Sequence, residues 1–173
     1  MLIRIGLFLL IPALLSIKFG VTPQSIGLLP LALISLELIR TDMKFFKLPN
    51  KLVYSSFFIT VLYITIFSIL KKNINYFTEP ILMSVVFFSA GLIFYLFGRN
   101  AFGAGDVKLL ALAGLNLGYF SVELALLAAL LTFSSLLVVA VVLLISKRAT
   151  ATTRIPFGPF LIISTWFSII LFG

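Results

Sequence analysis

Seven stretches of this chain run without a single charged residue: Ile5–Ile17, Phe19–Leu36, Leu52–Leu70, Pro80–Gly98, Leu109–Val122, Leu124–Ser146 and Ile155–Gly173. A bilayer core of about 30 Å is crossed by about 20 helical residues, so most of these runs are long enough to span and the first and fifth are short. The residues between them cannot make a soluble fold either. With 62% hydrophobic and 10% charged residues, the chain has too little polar surface to cover a globule, whereas an ordinary soluble domain carries about 25% charge. The expected fold is all-α, a polytopic integral membrane helical bundle of about six to seven transmembrane segments, forming one domain over residues 1–173. The run Leu109–Val122 spans only with its flanks or is partly re-entrant. The first run could be a cleaved signal peptide because Arg4 precedes it. No small-x-small cleavage site follows, however, and Phe19-Gly20-Val21-Thr22-Pro23 leads into further apolar sequence, so it is expected to be retained.

The reactive residues are few. The chain has no His and no Cys, which excludes thiol and imidazole nucleophiles, disulfides, and thiolate or His-based metal sites. No metal or cofactor is expected. Carboxylate chemistry must be assigned among Glu37, Asp42, Glu79, Asp106 and Glu123.

The net charge of +8 is distributed as orientation signals, not as the stripe or tail that binds nucleic acid. With the N-terminus in the cytoplasm, Arg4, Arg40, Lys44, Lys47, Lys51, Arg99, Lys108, Lys147, Arg148 and Arg154 face inward, against Lys18, Lys71 and Lys72 outside. This is a positive-inside bias of the usual kind. The bias places Asp42 and Asp106 on the cytoplasmic face and Glu79 and Glu123 on the other, and the expected location is the plasma (inner) membrane. The inward loops Arg40–Lys51, Gly98–Lys108 and Lys147–Pro156 are the candidate working surfaces.

Two of those loops carry acids. In Phe102-Gly103-Ala104-Gly105-Asp106-Val107-Lys108, a carboxylate stands where an apolar helix is about to begin, an expensive position unless it is paired, hydrated or protonated. Gly103 and Gly105 allow close approach of another chain, such as a substrate strand. The same residues also read as a helix end followed by an acid capping the next helix. Thr41-Asp42-Met43-Lys44-Phe45-Phe46-Lys47-Leu48-Pro49-Asn50 reads alone as a solvated basic loop ended by Pro49. Together, two acids on one face and at helix edges meet the requirement of a water-activating dyad: carboxylates that share a proton, one acting as base and the other as acid.

In order along the chain, Asp42 to Pro49-Asn50, then Gly103-Ala104-Gly105-Asp106-Val107-Lys108-Leu109-Leu110-Ala111, then Ile155-Pro156-Phe157-Gly158-Pro159-Phe160 resemble the three signatures of the prepilin peptidases, membrane aspartic peptidases of the Gly-x-Gly-Asp type. The resemblance runs from about Leu36 to the C-terminus. It implies that Asp42 and Asp106 are the catalytic pair and that the partner is a prepilin-like protein, cut at the cytoplasmic face between a short basic leader and its hydrophobic helix. Gly103, Gly105, Lys108, Pro49, Pro156, Gly158 and Pro159 are then candidates for substrate binding or loop shaping. The presenilin-like branch has a Tyr-Asp first motif and a later Pro-Ala-Leu, neither of which occurs here. Bifunctional members carry a cytoplasmic insertion with paired Cys and an N-methyltransferase activity; the absence of both features points to the peptidase-only form.

Other residues leave alternatives open. Lys108 either lowers the carboxylate pKa through the loop or anchors at the headgroups. Glu37 is either a buried functional acid or the i,i+3 partner of Arg40. Gly114 and Gly118 form a small-x3-small pattern suited to helix packing. The aromatic residues, mostly Phe, suit lipid contact and core packing. Two rival functions remain: a small ion- or proton-coupled transporter, which needs acids near the midplane and a polar lining, and a non-enzymatic subunit of a pilus or secretion machine. Membrane lipid is the other expected partner; the oligomeric state is not legible.

Overall fold

The computed structural model describes residues 11–13, 15–20, 22–97, 102–147 and 155–173. The expectations for Arg4, Arg99, Arg148, Arg154 and the start of the first apolar run lie outside the described residues. Residues 11–13 and 15–19 are helical, and six further helices follow: α1 Pro23–Phe45, α2 Asn50–Lys71, α3 Asn75–Phe97, α4 Ala104–Gly118, α5 Val122–Ile145 and α6 Gly158–Phe172. The chain is a polytopic helical membrane bundle.

Local chemistry sets the helix ends. At the start of α1, Thr22 Oγ1 accepts the Ser25 N–H while Ser25 Oγ accepts the Thr22 N–H, with Pro23 at the first helical position. This reciprocal cap satisfies two donors that have no partner inside the helix. The helix then runs past the end of its uncharged stretch, through Arg40 and Asp42, to Phe46. Phe46 adopts a left-handed conformation (φ 50°) and donates its N–H to the Asp42 carbonyl at 2.9 Å. Most of the expected inward loop Arg40–Lys51 is therefore helix, and the connection between α1 and α2 is only residues 46–49. The correction has a simple cause: charge ends the membrane-buried part of a helix, not its hydrogen-bond ladder.

Long and short helices have different neighbours. Among the described residues, three helices are long and apolar enough to cross a bilayer, α2, α3 and α5, and only 11% of the α5 window is buried within the protein. Their exposed Phe58, Leu62, Leu96, Leu130 and Leu137 face outward. In contrast, α4 has 15 residues, roughly 22 Å at 1.5 Å per residue. All its residues from Leu109 to Gly118 are buried. It is the central element, packed against α1, α2, α3, α5 and α6. The fifth run is short because its surroundings are protein rather than lipid.

The tightest contact in the bundle is between α3 and α4. A Cβ at Gly114 would lie 2.6 Å from the Met83 carbonyl oxygen, and one at Gly118 would lie 2.8 Å from Met83 Cβ. Ser84 Oγ donates to the Ala111 carbonyl at 2.9 Å across the same seam. In lipid, burial against another helix gains little apolar transfer energy, so close backbone approach and interhelical hydrogen bonds hold such pairs together. This is the packing expected of the small-x3-small pattern. Elsewhere Trp166 Nε1 of α6 donates to Ser35 Oγ of α1 at 2.8 Å, and Lys18 donates to carbonyls at the C-terminal end of α6, where a cation complements the helix dipole.

Candidate active site

Alternating helices bring the C-terminal end of α1 and the N-terminal ends of α2, α4 and α6 to one face of the bundle. Each of its two aspartates faces a helix N-terminus. Asp42, in the last turn of α1, is 4% exposed, and its Oδ2 accepts the Gly158 N–H at the start of α6 at 2.8 Å. Asp106, third residue of α4, is half-buried, and its Oδ2 accepts the Gly103 N–H at 2.9 Å. The helix-capping geometry anticipated for Asp106 is thus present. Each carboxylate is held by one backbone donor at the positive end of a helix, where negative charge is favoured.

The two donors are arranged alike. Each donating glycine follows a phenylalanine, in Phe102-Gly103 and Phe157-Gly158, and the two rings meet edge to face at 4.8 Å between centroids. Phe94 and Phe133 join the cluster, at 5.9 Å from Phe102 and 6.1 Å from Phe157 respectively. The rings tie the loop before α4 to the loop before α6, and so tie the two carboxylate clamps to each other. Composition alone assigned these aromatics only to packing or lipid contact. The Phe-Gly step alone could not have singled them out, because it also occurs at Phe19-Gly20, Phe97-Gly98 and Phe172-Gly173.

Gly158 is constrained by this contact, because a Cβ there would lie 2.9 Å from Asp42 Oδ2. At Gly105, a Cβ would meet Leu48 of the α1–α2 connection at 3.3 Å. The missing side chain of Gly105 lets Leu48 of the protein's own chain pack close to it. Gly103 faces its own Asp106 carboxylate, 3.2 Å from where a Cβ would be. Pro49 is the N-cap of α2, its carbonyl accepting the Leu52 and Val53 N–H groups. Pro159 stands in the first turn of α6, and Pro156 precedes the helix in irregular chain.

Asp42 and Asp106 line one cavity of about 320 Å3 with Phe46, Lys47, Leu48, Asn50, Gly103, Ala104, Gly105 and Lys108. Both acids lie outside the uncharged runs that cross the bilayer. Burial raises the Asp42 carboxyl above the ordinary carboxylate range, opposed by the Gly158 N–H. Asp106 is pushed up to about 6, chiefly by burial and against the Gly103 N–H, with the negative charge of Asp42 adding to the rise. Desolvation therefore outweighs the helix termini, and the second charge makes simultaneous ionisation of the pair unfavourable. Lys108 forms no ion pair with either acid among the described residues; its ammonium donates to Asn50 Oδ1 at 3.1 Å. Glu37 pairs with Arg40 at 3.7 Å, the i,i+3 contact that the spacing suggested. Glu79 and Glu123 lie near the opposite helix ends, in the early turns of α3 and α5.

The type IV leader peptidase family matches residues 27–146, which include both aspartates. A prepilin leader peptidase/N-methyltransferase from Pseudomonas putida is 30% identical over 168 residues, covering 88% of this chain and 52% of the relative. The chain thus spans about half the length of the curated relative it matches. No solved structure matches the chain.

Proposed function

The chain belongs to the type IV leader peptidase family, and on that premise we propose that it is a membrane aspartic endopeptidase that removes the leader of prepilin-like precursors. The observation that carries the reading is the placement of Asp42 and Asp106 in one cavity, each held by a glycine N–H and electrostatically coupled to the other. One proton is shared between two carboxylates. A water between them attacks the scissile carbonyl carbon, giving its proton to the ionised carboxylate, while the protonated partner gives its proton to the carbonyl oxygen. The tetrahedral diol collapses as the C–N bond breaks: the leaving nitrogen takes the proton held by one carboxyl while a diol hydroxyl returns its proton to the other carboxylate, which leaves a carboxylic acid, a free amine and the pair with its single proton restored. No covalent enzyme intermediate forms.

The substrate is a pilin, pseudopilin or Tad/competence-type precursor whose apolar helix docks from the lipid, with the cut at the depth of the pair. The site faces the cytoplasm of the plasma membrane, the side assigned by the basic residues around it. Without the Cys-bearing insertion of the bifunctional members, the chain acts as a peptidase alone. A transporter would need ionisable groups near the midplane. Among the described residues, the buried polar side chains within the helices, such as Thr60, Asn116 and Ser168, are uncharged, and both site acids stand at helix ends.

The test is to reconstitute the purified chain in lipid vesicles with a purified type IV prepilin precursor and to sequence the N-terminus of the product. Cleavage at a single bond between leader and apolar helix is expected; an intact precursor would sink the reading.

A further inference from the structure

The cavity holding the two aspartates also contains a cation that neither aspartate neutralises. Lys108 and Asn50 both line it. The Lys108 ammonium donates to Asn50 Oδ1 at 3.1 Å and lies 5.2 Å from the centre of the Tyr54 ring, and the one ion pair among the described residues, Arg40–Glu37, is elsewhere. An ammonium offers three donors and no acceptor. One is used by Asn50, whose amide oxygen is turned toward Lys108 and whose two N–H donors are therefore free of that bond. Hence the cavity presents a cluster of hydrogen-bond donors from α2 and α4 next to two carboxylate acceptors. An acidic ligand there would meet like charge from the aspartate pair, whereas a neutral carbonyl would not.

We propose that Lys108 and Asn50 form a binding site for a backbone carbonyl of the substrate peptide, one that sets the scissile bond in register with Asp42 and Asp106. The inference rests on the peptidase reading above and adds residues that touch the substrate. Its rival is a purely structural role, in which the Lys108–Asn50 bond only ties α4 to α2. The substitution Asn50→Asp separates the two. It keeps and strengthens the tie, as an ion pair, but replaces the amide donors with an acceptor that repels a carbonyl.

The experiment measures KM and kcat for a purified prepilin precursor with the full chain in vesicles, each variant at its own pH optimum. Asn50→Asp and Lys108→Met are expected to raise KM about tenfold or more with a much smaller change in kcat, and Lys108→Arg, which keeps charge and donors, stays within about threefold. Wild-type KM in Asn50→Asp overturns the site, whatever Lys108→Met does, because it leaves only the structural tie. If Lys108→Met fails to fold, Asn50→Asp decides alone. Failure of the unsubstituted chain to cleave would instead overturn the peptidase reading on which the site depends.

Discussion

Gly158 shows how narrow the tolerance of the proposed site is at the scale of single residues. Its N–H supports Asp42, and its missing side chain makes room for that support, because a Cβ would lie 2.9 Å from Oδ2. Gly158→Ala keeps the donor and forces the carboxylate to move by several tenths of an ångström. We expect kcat to fall roughly tenfold to a hundredfold, the effect of misplacing a reacting group by less than about 1 Å, with little change in melting temperature; undiminished kcat would contradict the clamp. The pH dependence follows from the same contacts. Asp106 is raised from 3.8 to about 6, so the folded protein holds this proton over a window in which the unfolded chain has lost it. Stability is therefore expected to fall as pH rises from about 4 to about 6. Activity is expected to show a bell, lost on the acid side when both carboxyls are protonated and on the alkaline side when both are ionised, with apparent pKa values that belong to the pair. A kcat unchanged over this range and above it would contradict a shared proton.

At the scale of elements, the key feature is a short helix enclosed by longer ones. The positions of α4 and the two aspartates were legible in the sequence because charge interrupts apolar runs at few points and only two of the five acids fall at helix edges on the same inward face. The extension of α1 through Asp42 was not, since hydropathy reports where lipid ends and not where the helix does. Nor was the Asp42–Gly158 hydrogen bond, between residues 116 positions apart, because no local pattern encodes which helix N-terminus will face a given acid. The packing of Leu48 against Gly105 depends in the same way on how α2 returns beside α4. By contrast, Gly114 and Gly118 were readable as packing residues from their spacing, and the contacts with Met83 give that spacing its cause. Gly114→Ala would drive a Cβ against the Met83 carbonyl oxygen, 2.6 Å away. It should destabilise the protein by about 1–3 kcal/mol, seen as a lower melting temperature in detergent. Leu137→Ala on the outward face of α5, where the side chain is 63% exposed, should change stability by less than about 0.5 kcal/mol. Equal effects of the two would show that the α3–α4 seam is not tightly packed.

For the whole molecule, the arrangement of charge links orientation to chemistry. The end carrying Asp42 and Asp106 also carries Arg40, Lys44, Lys47, Lys51 and Lys108, while Lys18, Lys71 and Lys72 mark the opposite end. The absence of Cys makes this directly measurable. An introduced Lys44→Cys should react with a membrane-impermeant maleimide only from the cytoplasmic side, and Lys72→Cys only from the other; the reverse pattern would contradict the proposed topology. The central claim is that Asp42 and Asp106 work as one unit, and the most direct test is cleavage of a prepilin precursor by Asp42→Asn, Asp106→Asn and the double variant, all confirmed as folded. Each single substitution is expected to lower kcat at least about a thousandfold, and the double no further, as for groups that act together. A single variant that retains cleavage within about tenfold of the unsubstituted chain would contradict the account.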